Sequence, residues 1–247
     1  MNNTFNFKRF NQGLAYDWKR FIRNFGITLL VWINIPVMFW VTSLVFDFEL
    51  DSWIRVFVIF GLIAITVMSA PSRIYGKVNL PREGVSFAML PASGLEQFLS
   101  MVIYCSLVTP ALTLVGAWLV DCLMTLLPFG GFKEFIPLKE ILTEGNFGER
   151  MLVFLVLVAT TWAESSVFMF GNMVFKRRKG GKTFGWALLI MFTIVVLSEL
   201  VGGWQVLEYI FIEDDSIANL WIFSGIMLVI ACGFYFGTYH KIKTQKY

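Results

Sequence analysis

Six long runs of apolar residues, separated by short polar segments, set the layout of this 247-residue chain. They cover residues 24–46, 56–72, 97–120, 151–175, 183–207 and 216–239, between 17 and 25 residues each. An α-helix rises about 1.5 Å per residue, so about 20 residues cross a hydrocarbon core of about 30 Å. The pattern predicts an all-α, polytopic membrane protein: six transmembrane helices forming a single domain over 1–247.

Composition agrees with that pattern. Hydrophobic residues make up 57% of the chain and charged residues 15%, against about 25% charged in an ordinary soluble domain. The first run follows a polar, basic stretch with no small-residue cleavage pattern behind it, so span 1 is expected to act as its own targeting signal. Within that stretch Phe7, Phe10, Leu14, Trp18, Phe21 and Phe25 recur every three or four residues, and Lys8, Arg9, Lys19, Arg20 and Arg23 take the other faces. This is the signature of an amphipathic helix over 1–23 lying in the inner interface with its apolar side in lipid. The alternative is a span 1 helix that continues into the cytoplasm.

Sixteen of the twenty Lys and Arg residues fall on one side of the six spans, before span 1, after span 2, after span 4 and in the tail. Arg55, Lys133, Lys139 and Arg150 are left on the other side. Positive charge marks the cytoplasmic side, so both termini are expected inside. A basic face against anionic headgroups accounts for the net charge of +3 without a nucleic-acid partner.

Inside the spans, Glu164 stands out. It lies thirteen residues into the 151–175 run, where a charge costs about 2.5–3.5 kcal/mol on insertion scales. Such a group is expected to face the bundle interior, and no Lys or Arg within the spans pairs with it. Thr160, Thr161, Ser165 and Ser166 are neighbours in sequence, and Asn172 lies two turns on. Glu164, Thr160, Thr161 and Asn172 are therefore either the polar lining of a substrate path or a neutral hydrogen-bonded packing element. Asp121 and Glu199 lie nearer the outer surface, where a carboxylate reaches water. Pro36 and Pro110 sit mid-span and are expected to kink spans 1 and 3. Tyrosines and tryptophans near span ends, Tyr75 and Tyr235 among them, read as interface anchors. Gly233 and Gly237 form a GxxxG pair that permits close helix approach, within the bundle or to a second copy.

Several chemistries are excluded. Gly180-Gly181-Lys182-Thr183 resembles the end of a phosphate-binding loop, but Lys176 stands where that loop needs glycine. His240 is the single histidine and Cys105, Cys122 and Cys232 are isolated, so neither a metal site, a disulfide nor a bound cofactor is expected. No residue set points to an enzyme.

The connection between spans 2 and 3 is more specific. Ser93 and Glu96 have the S-x-x-E spacing of a capping box, and Phe87, Met89 and Leu90 precede them as an apolar cytoplasmic surface. Together with the basic N-terminal helix, the segments MLPASGLEQFLS (Met89–Ser100) and FMFGNMVFKRRKGGKTF (Phe168–Phe184) make the chain resemble small six-span bacterial membrane proteins related to ABC-2-type transporter permeases. The resemblance implies a bacterial cytoplasmic membrane location, a homodimer or heterodimer, and a separate cytoplasmic ATPase. It implies that Phe87, Met89, Leu90, Ser93 and Glu96 form the element on which that ATPase docks. Two other readings stay open: a proton-coupled carrier using Glu164, and a membrane scaffold or sensor that transports nothing.

Overall fold

The computed structural model describes residues 5–78, 92–127, 132, 135–136, 147–176, 179–200 and 216–244, and among them there is helix and no strand. The described residues form nine α-helices, in order: α1 Phe7–Phe21, α2 Ile27–Ile33, α3 Ile35–Phe46, α4 Ser52–Ile74, α5 Gly94–Val102, α6 Thr109–Thr125, α7 Phe147–Val174, α8 Lys179–Leu200 and α9 Ser216–Thr244. Two π-helical turns join α1 to α2 (Ile22–Gly26, π1) and α5 to α6 (Ile103–Val108, π2).

Among the described residues five helical stretches are long and apolar enough to cross a membrane: Phe7–Phe46, Ser52–Ile74, Gly94–Thr125, Phe154–Val174 and Leu220–Thr244. This is the fold of a multi-pass membrane protein. The span expected over 183–207 begins within α8, which carries Glu199 in its last turn, and continues outside the described residues, where Phe87, Met89 and Leu90 also lie.

Helix ends follow local chemistry. Asn6 caps α1 by accepting from the amides of Lys8 and Arg9 at 2.9 and 3.3 Å, and Lys19 and Arg20 face the negative end of its dipole. Asp51 caps α4 through the Trp53 amide at 3.3 Å. α3 stops at Asp47, which takes a left-handed conformation (φ 49°, ψ 48°) that a short polar side chain tolerates better than most.

Both expected prolines mark real departures from α-geometry. Pro36 follows the turn at Asn34 that separates α2 from α3, and Pro110 follows π2. Each proline lacks the amide that would bond one turn back, and the helix rearranges just upstream of it. Pro71 sits in the last turns of α4, which carries it as an uninterrupted helix.

α4 packs between α6 and α7, α9 lies along α7, α1 lies against α5, and α8 rests on α7. Two apolar clusters result. One, at the end where α1 joins π1, holds Phe21, Phe25, Ile74, Met101 and Met169; the other holds Val56, Ile59, Leu62, Val67 and Ala117. The polarity of the bundle is that of a protein solvated by lipid. Large apolar side chains face outward, among them Ile27 at 77% exposure, Phe57 at 73% and Val229 at 73%, while Thr66, Thr113, Ser106, Ser165 and Thr238 are buried. The Thr66 and Thr113 hydroxyls meet at 3.0 Å between α4 and α6. Small hydrogen-bonding residues inside and bulky apolar ones outside are how helices associate where the surrounding solvent is itself apolar.

The amphipathic stripe of α1 is covered by protein for much of its length, in place of the lipid expected. Phe21 and Phe25 are buried in the first cluster and Leu14 packs against it, whereas Phe7 and Trp18 remain exposed. α1 also runs through π1 into α2 without leaving helical geometry.

Candidate functional site

The most connected polar side chains lie where α1 meets α5, at the end of the bundle that carries most of the basic residues. Glu96, Ser100 and Tyr104 are spaced by four residues, so they share one face of α5 and its π2 continuation. That face meets α1. Glu96 Oε1 accepts from the Asn6 amide at 2.7 Å and from Arg9 Nη2 at 3.0 Å, and its Oε2 accepts from the Ser93 amide at 2.8 Å. The Glu96 amide donates to Ser93 Oγ at 3.3 Å, completing the capping box. Ser100 Oγ donates to Asp17 Oδ2 at 2.5 Å, and the Tyr104 hydroxyl donates to the Leu14 carbonyl at 2.7 Å.

Asp17 extends this seam to the other helices. Its Oδ2 also accepts from the Tyr75 hydroxyl at 3.1 Å, and Arg20 Nη1 lies 3.6 Å from Oδ1. The Tyr75 carbonyl in turn accepts from Asn172 Nδ2 at 3.3 Å, which brings in α7. Tyr75 is fully buried, so it is not an interface anchor: its ring fills the first cluster and its hydroxyl is fixed by Asp17. The sequence signal for Asp17 was there to be read. It is an acid on the apolar stripe of α1, between Leu14 and Phe21.

The expected coupling residues divide. Ser93 is 9% and Glu96 2% exposed, so neither presents its side chain to a partner, and their role is to lock α1 onto the start of α5. A cavity of about 130 Å³ remains beside them, lined by Phe10, Tyr16, Asp17 and Gln97 among others. It is smaller than the roughly 300–1,000 Å³ of small-molecule sites.

The expected polar lining around Glu164 does not assemble as a unit. Thr160 and Thr161 donate back to carbonyls of their own helix, to Val156 at 2.9 Å and Leu157 at 2.7 Å. Asn172 is buried and turned to Tyr75, with its Oδ1 lacking a hydrogen-bond partner. Glu164 is half-buried, and among the described residues its carboxyl has no ion-pair partner. The adjacent Ser165 does participate: its hydroxyl lies 2.6 Å from Ser106 Oγ, which lies 2.6 Å from the Tyr235 hydroxyl. Sequence reasoning missed this link between π2, α7 and α9, since isolated Ser and Tyr residues in apolar runs carry no spacing signal.

At the opposite end, Asp121 is buried at 1% exposure instead of reaching water, and Arg55 is buried at 4%. Arg55 Nη1 donates to Asp121 Oδ2 at 2.8 Å and to Thr125 Oγ1 at 3.3 Å, and its guanidinium carbon lies 4.5 Å from the Phe132 ring centre. α4 starts at Ser52, four residues before the apolar run, and this brings Arg55 into the helix.

Gly237 is used within the bundle. A Cβ there would come within 2.9 Å of Phe170, whereas one on Gly233 would meet nothing within 4 Å. Gly171 is closer still to its neighbour, with Thr183 Oγ1 2.0 Å from the position of a Cβ. At the start of α8, Lys179 is 8% exposed and its ammonium donates to the Gly76 carbonyl. Burial lowers its pKa from 10.5 to about 8. Among the described residues no group of three His, Cys, Asp or Glu side chains is placed to hold a metal.

Comparison with family profiles, curated proteins and solved structures gave no match. The resemblance to ABC-2-type permeases thus rests on the residues that suggested it.

Proposed function

We propose that this chain is the membrane-spanning permease subunit of an ABC-type exporter in a bacterial cytoplasmic membrane. It has six spans with both termini inside, works as a dimer, and is driven by a separate cytoplasmic ATPase. The N-terminal helix is its inner-interface element. One observation carries the reading: the 79–91 connection enters α5 through Ser93 and Glu96, and the Glu96 carboxylate simultaneously holds Asn6 and Arg9 of α1.

A displacement of that connection therefore reaches α1 and α5 together. Above them α5 passes into π2 and then Pro110, a place where backbone hydrogen bonding already departs from the α-pattern and a helix bends with less disruption. Phe87, Met89 and Leu90 supply the apolar surface for the ATPase. In this mechanism no side chain of the chain performs bond chemistry. Nucleotide-driven association of the partner subunits moves the loop, and the α1–α5 unit passes the movement to the spans.

The proton-coupled carrier is the weaker reading, because Thr160 and Thr161 are bonded to their own helix and Asn172 to Tyr75. Affinity purification from the native host tests the permease reading. A nucleotide-hydrolysing partner should co-purify and be lost on Phe87→Asp/Leu90→Asp. Glu96→Ala should retain the partner but weaken the coupling of hydrolysis to export. A preparation without an ATPase would move the scaffold reading ahead.

A further inference from the structure

An open groove of about 590 Å³ lies where the ends of α4 and α7 meet the start of α8. Its lining contains the cationic Arg73, Lys176 and Lys179, with Lys77 beside them, together with Asn24 and Ser72, and no carboxylate among the described residues. The floor is the N-terminus of α8, where Gly180 and Gly181 leave the backbone uncovered. A Cβ on Gly181 would meet nothing within 4 Å, and one on Gly180 would come no closer than 3.7 Å to Ser72 Oγ. The first amides of a helix have no partner within it, and they carry the positive end of its dipole.

Lys179 turns this patch into a built site. It is nearly buried, held to the Gly76 carbonyl, and cannot swing out to water as an exposed lysine would. Gly76 is required at this point, because a Cβ would lie 2.0 Å from the Ser72 carbonyl oxygen. Arg73, Lys77 and Lys176 are exposed around it. Arg177 and Arg178 follow in sequence, outside the described residues. Collecting like charges in one concavity is unfavourable unless an anion joins them, and basic pockets between spans on the cytoplasmic side are where acidic headgroups bind.

We propose that this groove binds a phosphate-bearing anion, its oxygens received by Arg73, Lys176 and Lys179 and by backbone amides at the start of α8. The groove opens at the end of the spans that holds the basic residues, level with the headgroups of the inner leaflet in the topology proposed above. An anionic phospholipid is its natural source, and a soluble phosphate ester shares the same chemistry. The inference needs only the groove, and stands whether or not the chain is a permease.

Native mass spectrometry of the full chain in detergent, with phosphatidylglycerol or phosphatidylcholine added, tests the proposal. Thermal unfolding with and without inorganic phosphate separates the two sources. The variant is Arg73→Gln/Lys176→Gln, which alters exposed side chains. The control is Lys241→Gln/Lys243→Gln, which removes the same charge elsewhere on the same side. With about 1 kcal/mol for each basic residue near the surface, the groove variant should bind phosphatidylglycerol about 30-fold more weakly. The control should bind like the unaltered chain, and phosphatidylcholine should not be retained. Stabilisation by inorganic phosphate alone, lost in the groove variant, would support the anion site with a soluble source. Equal losses in the two variants, or no retention of either anion, would overturn the proposal.

Discussion

Replacing Asp121 with leucine should destabilise the protein more than any other single change at the Arg55 end of the bundle. Arg55 is 4% exposed and cannot turn to water, so the substitution takes the Asp121 carboxylate away from a buried guanidinium. Removing one partner of a buried pair costs about 3–5 kcal/mol. Thr125 Oγ1 at 3.3 Å and the Phe132 ring at 4.5 Å both remain. A desolvated cation–π contact supplies about 2 kcal/mol, so the expected loss lies at the low end, about 3 kcal/mol. For a chain of this length that corresponds to a fall in Tm on the order of 10 °C. Tryptophan fluorescence during heating in detergent reads it. The informative control is Arg55→Met/Asp121→Leu, which removes both charges at similar volume. Replacing a whole buried pair with apolar residues is commonly neutral or stabilising, so the double variant should recover most of the lost Tm. The reasoning fails if Asp121→Leu moves Tm by less than about 2 °C, or if the double variant is no better than the single one.

Three further outcomes follow from particular contacts. Gly171→Ala places a Cβ against Thr183 and should lower stability by about 1–3 kcal/mol, whereas Gly233→Ala, in open space, should change it by less than about 0.5 kcal/mol; equal unfolding midpoints for the two would refute the packing assigned to Gly171. Lys179 has a folded-state pKa of about 8 against 10.5, so between those values the unfolded chain holds a proton the folded chain has released. Stability relative to Lys179→Met should therefore rise with pH across that window, and a flat difference between the two unfolding curves would refute the burial of the ammonium. Single cysteines placed at either terminus and at Lys182, in a background lacking the three native ones, should be labelled by a membrane-impermeant maleimide only after cell lysis; labelling of intact cells would overturn the proposed orientation.

The hydrophobic pattern alone determined that the chain is helical and membrane-embedded. A run of about 20 apolar residues has few other stable outcomes, because its backbone groups must bond within the segment. The capping box was legible for the same local reason: Ser93 and Glu96 are three residues apart, and both bonds form within one turn. Pro36 and Pro110 were legible as disturbances, since a missing amide acts on its own helix. Everything that depended on a second helix was decided by packing. Arg55 and Asp121 are 66 residues apart, Asp17 and Ser100 are 83 apart, and Ser106 and Tyr235 are 129 apart. No periodicity links such positions. Glu96 was visible as a cap but not as the residue that holds α1, because its second oxygen is used across space by Asn6 and Arg9. The surroundings of Glu164 were not legible on the same ground: sequence neighbours on a helix point in different directions, and only the approach of π2, α9 and the end of α4 showed that, among the described residues, Ser165 and Asn172 are the members of this stretch with partners across the bundle.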